Sequence, residues 1–158
     1  MMTKTEAAIS EGRTLFPMKT KSAAVLGKTE NVLKIPGKGN KLGRKITKGK
    51  WKGFKIFILT LEERATCPPS CFHWGTCYGN NMPFATRYLV DVWLLHRIWS
   101  QLTTLQRKNP LGFAIRLHIL GDFFSVEYVE FWRKALNAFP ALHIWGYTGR
   151  IDKDDPVH

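Results

Sequence analysis

The sequence predicts an α/β fold, a βαβαβ arrangement of mainly parallel strands preceded by a basic, irregular N-terminal arm. Three apolar stretches of strand length predict the strands, namely FKIFILTL (54–61), AIRLHILG (114–121) and LHIWGYTG (142–149). The long segments between them favour helical crossovers and therefore parallel pairing. A closed (β/α)8 barrel takes about 250 residues. The three strands therefore form either a partial barrel or a small open sheet, and the residues alone leave both open.

The two crossover segments predict amphipathic helices. Within residues 83–107 the apolar side chains recur at helical spacing, and Asn109-Pro110 indicates where that helix stops. The second helix is predicted to begin after Ser125, a favourable N-cap, with Glu127 in the first turn stabilised by the helix dipole. It is predicted to end near Pro140.

The positive charge is concentrated in the N-terminal third. The 158-residue chain has a net charge of +12, and residues 1–55 alone contain fourteen Lys and Arg against three Glu. Residues 1–50 predict an irregular arm rich in Gly and Lys, followed by an α/β domain over residues 51–158. Because Lys and Arg release counterions from phosphates, the arm is expected either to bind nucleic acid or to be a solvated tail. The residues predicted to contact nucleic acid are Lys41, Arg44, Lys45, Lys48, Lys50, Trp51 and Lys52.

Composition also indicates the compartment. The first residues are polar and lack the apolar stretch of a secretory signal. The most apolar segment, YLVDVWLLHRIW (88–99), is interrupted by charged residues and is too short to span a membrane. Three cysteines, an odd number, are a poor basis for a disulfide framework. We expect a cytoplasmic protein without a membrane partner. The sequence leaves open the oligomeric state and whether the chain is complete or the front part of a longer protein.

All three cysteines lie in one loop, TCPPSCFHWGTCYGN (66–80), with the spacing C-x3-C-x5-C. Cys67, Cys71 and Cys77 can bind three irons of a [4Fe–4S] cluster and leave the fourth iron open to another ligand. Alternatively, the three thiolates and His73 complete a tetrahedral zinc site. A third interpretation is three ordinary buried cysteines. The clustering favours a metal site, and the spacing leaves iron and zinc both open.

Three loops are predicted to meet at the carboxyl edge of the sheet, where the functional loops of α/β folds lie. The cysteine loop follows the first strand, GDFFS the second and GYTGRIDKDD the third. Gly121 allows close backbone approach, and Asp122 supplies a carboxylate for an ammonium or hydroxyl group. The alternative is that both form a tight turn. Arg116 and His118 are predicted to share one strand face, either as an anion site or as structural residues.

Three motifs together resemble a known family. TCPPSCFHWGTCYGN, RLHILGDFFSVEYVEFW and LHIWGYTGR resemble the phage and prophage "gene product eighty-eight" family and, more broadly, phage three-Cys-motif proteins, over about residues 54–150. The same order of elements is similar to the first half of a radical S-adenosylmethionine enzyme. The resemblance implies a partial TIM barrel with a [4Fe–4S] cluster on the three cysteines. It also implies S-adenosylmethionine or substrate held by Tyr78, Gly121 and Asp122.

Two features depart from the radical S-adenosylmethionine pattern. The last gap between cysteines is five residues rather than two, with Tyr78 after the last cysteine, and Gly121-Asp122 stands where those enzymes have Gly-Gly-Glu. The expected function is a phage or mobile-element iron–sulfur protein, with a radical-type enzyme acting on a nucleic acid or nucleotide-related substrate as its most specific form. The alternative is a non-enzymatic protein with a structural zinc site that binds nucleic acid or a host protein, for example as an inhibitor of a host defence complex.

Overall fold

Three parallel strands form the central sheet of the protein. The computed structural model describes residues 1–38 and 41–158. In chain order the elements are helix α1 (Lys4–Ser10), strand β1 (Thr20–Lys21), strand β2 (Lys55–Ile58), strand β3 (Arg87–Tyr88), helix α2 (Val92–Lys108), strand β4 (Phe113–Leu117), helix α3 (Val126–Ala138) and strand β5 (Leu142–Gly146). Short 3-10 turns occupy Pro17–Lys19, Ala23–Val25 and Tyr78–Asn81.

The sheet order is β2-β4-β5, with both pairings parallel. In the strand register, Ala114 of the central strand pairs with Ile56 of β2 and with His143 of β5. Strands β1 and β3 form a second, two-stranded parallel sheet. The predicted α/β class with parallel strands is therefore confirmed. The described residues form two small sheets and no closed barrel.

Helix α2 begins nine residues later than the predicted segment. Its N-cap is Asp91, whose carboxylate accepts a hydrogen bond from the Leu94 N–H at 3.0 Å. The preceding Arg87–Tyr88 is a strand instead, because it pairs with Thr20–Lys21 from a distant part of the chain. Helix α3 begins as predicted, since the Ser125 hydroxyl accepts a hydrogen bond from the Tyr128 N–H at 3.1 Å.

Strand β4 ends at Leu117, four residues before the predicted end. His118 has a φ of 58°, in the left-handed region, which breaks the alternation of the strand. Its buried ring forms a 2.9 Å hydrogen bond with the Tyr128 hydroxyl and contacts Phe123 edge-on. Arg116 lies instead beneath the Tyr147 ring, 4.8 Å from its centroid. The prediction that Arg116 and His118 share one face is therefore wrong, because the backbone turns between them.

The N-terminal segment is more ordered than its composition predicts. Helix α1 starts with a capping box between Thr3 and Glu6. Further along, a few apolar residues set among lysines and glycines join the same hydrophobic cluster as the central sheet; they are Ala23, Leu26, Val32 and Leu33. These four residues anchor the N-terminal segment to the core of the domain.

The outer edge of β2 is covered by the lysine-rich segment. Lys34 forms two backbone hydrogen bonds with Ile58, at 2.7 and 3.0 Å, and Arg44 and Ile46 continue the antiparallel pairing along β2. A paired edge cannot recruit a foreign strand. None of the helices in the described residues is long and apolar enough to cross a membrane.

Burial of His118 leads to a testable pH dependence. Desolvation by burial and, to a smaller extent, the positive charge of Arg116 lower the pKa of His118 from its ordinary value of 6.5 to about 3. The unfolded chain binds a proton near pH 6.5 while the folded chain does not, so the free energy of unfolding should fall as the pH drops from about 7 towards 4. Urea denaturation at several pH values measures this slope.

The substitution His118→Gln should flatten that part of the pH profile, because glutamine does not titrate. The matched control is His96→Gln, at an exposed position on α2, which should retain the wild-type slope. A His118→Gln profile that runs parallel to the wild-type profile would contradict the assignment.

Candidate functional site at the carboxyl edge of the sheet

The three predicted loops meet around Asp122. Its N–H donates to the Thr66 hydroxyl at the start of the cysteine loop, at 3.1 Å. Its Oδ2 accepts hydrogen bonds from the Thr148 hydroxyl at 3.0 Å and from the Gly149 N–H at 2.7 Å, both in the loop after β5. Oδ1 accepts from the Phe123 N–H at 2.7 Å. Asp122 is buried, and its carboxylate joins the three loops.

Gly121 allows the close approach that this junction needs. Its φ of +86° lies in the left-handed region, and a Cβ at this position would stand 2.5 Å from the Thr66 Oγ1 and 2.7 Å from the Leu61 Cβ. Glycine is therefore required here because the backbone of Gly121 lies in close contact with the protein's own cysteine loop.

The three cysteines are free thiols, all partly buried. The Cys71 Sγ packs against Gly149, 3.3 Å from the position that a Cβ would occupy there. Burial is the main cause that raises the pKa of the Cys67 thiol to about 12. A backbone hydrogen bond at Arg64 lowers this pKa, whereas the charges of Asp122, Cys71 and Cys77 raise it. The three thiols thus share one loop, at the edge of the sheet where the three loops meet.

Cys77 has a similar environment on the other side of the loop. Burial raises the pKa of its thiol, and the neighbouring Glu63 and Cys71 act in the same direction. A hydrogen bond from the Gly79 backbone and the positive charge of Arg64 lower it. Because metals bind thiolates, a bound cation would have to displace the protons that burial keeps on these sulfurs.

His73 does not converge on the cysteines in this conformation. It is exposed, and its ring contacts Phe72 edge-on with centroids 5.2 Å apart. Among the described residues, no group of three or more His, Cys, Asp or Glu side chains is placed to hold a metal ion. A tetrahedral zinc site built from the cysteines and His73 is therefore not pre-formed in the part of the chain that the structure describes.

A buried ion pair supports the cysteine loop, and the sequence analysis did not single it out. Glu63 and Arg87 are both fully buried and form two hydrogen bonds at 2.8 and 2.9 Å. The Thr14 hydroxyl donates to the same carboxylate at 2.8 Å. Arg87 also donates to the Gly79 carbonyl, two residues after Cys77, at 3.0 Å. The available signal was the charged run LEER immediately after an apolar strand, where burial is expected.

Arg64 holds the middle of the same loop. Its Nε donates to the Trp74 carbonyl at 2.9 Å, and another guanidinium nitrogen donates to the Asn80 side chain at 2.5 Å. A third donates to the Arg13 carbonyl at 3.0 Å. Arg64 is buried and has a positive φ of 64°, a conformation that its side-chain contacts maintain. The buried side chains of Arg64 and Arg87 thus hold the cysteine loop through hydrogen bonds.

Tyr78 also joins two loops. Its hydroxyl donates to the Ile119 carbonyl in the loop after β4, and burial raises the pKa of the phenol. The ring remains more than half exposed. The structure therefore places Tyr78, Gly121 and Asp122 at one site with the cysteines.

Comparison with known proteins identifies the family. A model of the family described as Gene product 88 matches residues 37–158, about three quarters of the chain. The chain belongs to the Gene product 88 family, a family of phage gene products. The matched region contains the whole cysteine loop and all three strands of the central sheet. No curated protein and no solved structure matches this member of the family.

The residues predicted to bind nucleic acid lie near the amino-terminal end of β2, away from the cysteine loop. Ile46 and Phe54 pair across a turn that immediately precedes β2, whereas the cysteine loop follows the other end of that strand. Within this turn the lysines are exposed. Trp51 is partly buried against His143, with ring centroids 4.7 Å apart, and Lys50 lies over its indole. Nucleic-acid binding by this basic turn (residues 41–52) stays a prediction.

Proposed function

We propose that this phage protein is an iron–sulfur protein in which Cys67, Cys71 and Cys77 bind three irons of a [4Fe–4S] cluster. The observation that carries the proposal is the placement of all three thiols on one loop that buried arginines hold at the carboxyl edge of a parallel sheet. Such a cluster supplies one-electron chemistry and an iron open to an external ligand.

The donor set fits this group better than it fits a single zinc ion. Each cysteine of such a cluster binds a different iron, so the thiolates lie farther apart than around one metal ion. The exposed position of His73, with its ring against Phe72, gives no support to a fourth ligand for a single zinc ion. Arg64 supplies a positive charge near Cys77, which favours the thiolate form that iron requires.

Gly121 and Asp122 do not fit the role of holding S-adenosylmethionine. Both carboxylate oxygens of Asp122 already accept hydrogen bonds from the protein, and Thr66 and Leu61 fill the space beside Gly121. Gly121 and Asp122 instead join the loop after β5 to the cysteine loop. The partial barrel is supported by the strand order, because each new parallel strand adds to the same side of the sheet, as consecutive barrel strands do.

Anaerobic reconstitution with iron and sulfide tests the proposal. The wild-type protein is expected to bind about four irons per chain and to show the visible absorption of a cluster. Each of the variants Cys67→Ser, Cys71→Ser and Cys77→Ser should lose most of the iron, because each removes one ligand. Iron and sulfide analysis with a visible spectrum is the measurement, and circular dichroism verifies that each variant is folded.

The control His73→Ala separates the two metals. Under the iron–sulfur proposal this variant keeps its iron and its spectrum, because His73 is not a ligand. A colourless wild-type protein that contains one zinc ion, and loses it on His73→Ala substitution, would overturn the proposal in favour of a structural zinc site.

A further inference from the structure

A cationic cavity lies on the side of the protein formed by helix α2 and residues 28–35. Its volume is about 920 Å³, within the range of small-molecule sites. The charged residues that line it are Lys21, Lys28, Glu30, Lys34, Arg97 and Lys108. The cavity shares no lining residue with the cysteine loop or with the basic turn, so neither of those features accounts for it.

The charges of the cavity are unbalanced. Five of the six charged residues are cations, and none of the five forms a salt bridge within the part of the chain that the structure describes. Like charges that converge on one concave surface repel each other, and an anion that binds there relieves the repulsion. The cavity therefore favours a ligand with several negative charges.

Arg97 is already oriented within this cavity. One of its terminal nitrogens donates to the carbonyls of Leu26 and Gly27, at 2.7 and 2.9 Å. Its Nε is buried and has no hydrogen-bond partner among the described residues. Because the Nε is enclosed by protein atoms, Arg97 contributes to the cavity through its positive charge rather than through this donor.

The rest of the wall is pre-formed and partly apolar. The Gln101 side chain donates to Asn31 at 3.0 Å and accepts from the Leu33 N–H at 2.8 Å, which fixes helix α2 against residues 31–33. Leu33, Ile35, Phe57 and Leu105 supply apolar surface beside the cations. A cationic rim next to an apolar wall matches a ligand that has phosphates at one end and a flat ring at the other.

We propose that this cavity binds a nucleoside polyphosphate. Its phosphates contact Lys28, Lys108 and Arg97, and its base lies against the apolar wall. Phosphate oxygens form strong charge-assisted hydrogen bonds with Lys and Arg. A concave site of this volume accommodates one small molecule, whereas a nucleic-acid backbone requires an extended basic track such as the basic turn presents.

Binding of ATP to the full chain, measured by isothermal titration calorimetry, tests the proposal. The wild-type protein should bind ATP saturably, and adenosine, which lacks phosphates, should bind at least tenfold more weakly. The variant K28Q/K108Q removes two exposed cations and should weaken ATP binding roughly tenfold or more. The control K4Q/K134Q removes the same charge from exposed positions outside the cavity and should bind ATP as the wild type does.

A single-stranded oligonucleotide in the same assay distinguishes the cavity from the basic turn. K48Q/K50Q/K52Q should retain ATP binding, and K28Q/K108Q should bind the oligonucleotide as tightly as the K4Q/K134Q control does. The proposal fails if ATP does not bind saturably or if both double variants lose ATP binding equally. It also fails if K28Q/K108Q weakens binding of the oligonucleotide rather than of ATP, since the cavity would then be part of a nucleic-acid-binding surface.

Discussion

Replacement of Arg87 by methionine is expected to destabilise the protein by about 3–5 kcal/mol, because it leaves the Glu63 carboxylate buried without its partner. Both side chains are fully buried. Arg87 uses all five of its N–H groups, in two hydrogen bonds to Glu63 and one to each of three backbone carbonyls. Methionine keeps the apolar stem but lacks the guanidinium group, so the loss combines the unpaired Glu63 carboxylate with three backbone carbonyls that no longer have their donor.

Urea denaturation followed by circular dichroism measures the effect. The control is Arg133→Met, which breaks the exposed pair with Glu130 on α3, where the arginine side chain is 67% accessible to solvent. Its expected cost is much smaller, because solvent screens an exposed ion pair. The double variant E63Q/R87M should regain part of the lost stability, because it removes the unpaired charge. Equal losses for Arg87→Met and Arg133→Met would show that burial of the pair contributes little.

The same substitution connects stability to the site. Arg87 holds the Gly79 carbonyl just beyond Cys77, so Arg87→Met should also loosen the cysteine loop. Under conditions where the variant remains folded, we expect it to retain less iron after reconstitution than Arg133→Met does. If both variants retain equal iron, the pair supports the fold without positioning the loop.

Substitution of Gly121 by alanine is expected to cost about 2–4 kcal/mol, from a left-handed backbone and a steric clash together. The added Cβ would stand 2.5 Å from the Thr66 Oγ1. Thr66 cannot easily move aside, because this hydroxyl donates to the Glu62 carbonyl at 2.9 Å and accepts from the Asp122 N–H. The clash therefore pushes the cysteine loop away from the loop after β4.

Gly53 provides a matched control for the backbone contribution. Its φ of +89° is nearly that of Gly121, and a Cβ there would meet no atom of residues 1–38 and 41–158 within 4 Å. Gly53→Ala should cost only the conformational part, about 1–2 kcal/mol. The difference between the two variants in chemical denaturation then measures the close approach itself. If Gly121→Ala costs no more than Gly53→Ala, the loops are not in tight contact.

Much of the secondary structure could be predicted because its signals are local. The Ser125 cap, the order of the three main strands and the gathering of cysteines after the first of them all depend on residues close together in sequence. Parallel pairing followed from the length of the crossovers. The meeting of the three loops around Asp122 followed in turn from parallel pairing, since that places their strand ends at one edge.

The element ends and the supports of the site depended on contacts between residues far apart in the chain. Arg87 lies in a strand because it pairs with Thr20, and it is buried because Glu63 balances its charge. His118 leaves its strand to reach Tyr128. No local pattern encodes these partners.

The sequence by itself therefore determined the three main strands, the two crossover helices and their order, and that one loop carries every thiol. Only the tertiary structure decided what holds that loop, that the basic turn lies near the amino-terminal end of β2, and that lysines from residues 21–34 meet helix α2 around a cavity. The physical reason is the separation along the sequence of the residues that interact. Capping and periodicity act over a few residues, whereas burial of a charge or a close backbone approach is set by whichever distant residues the fold brings into contact.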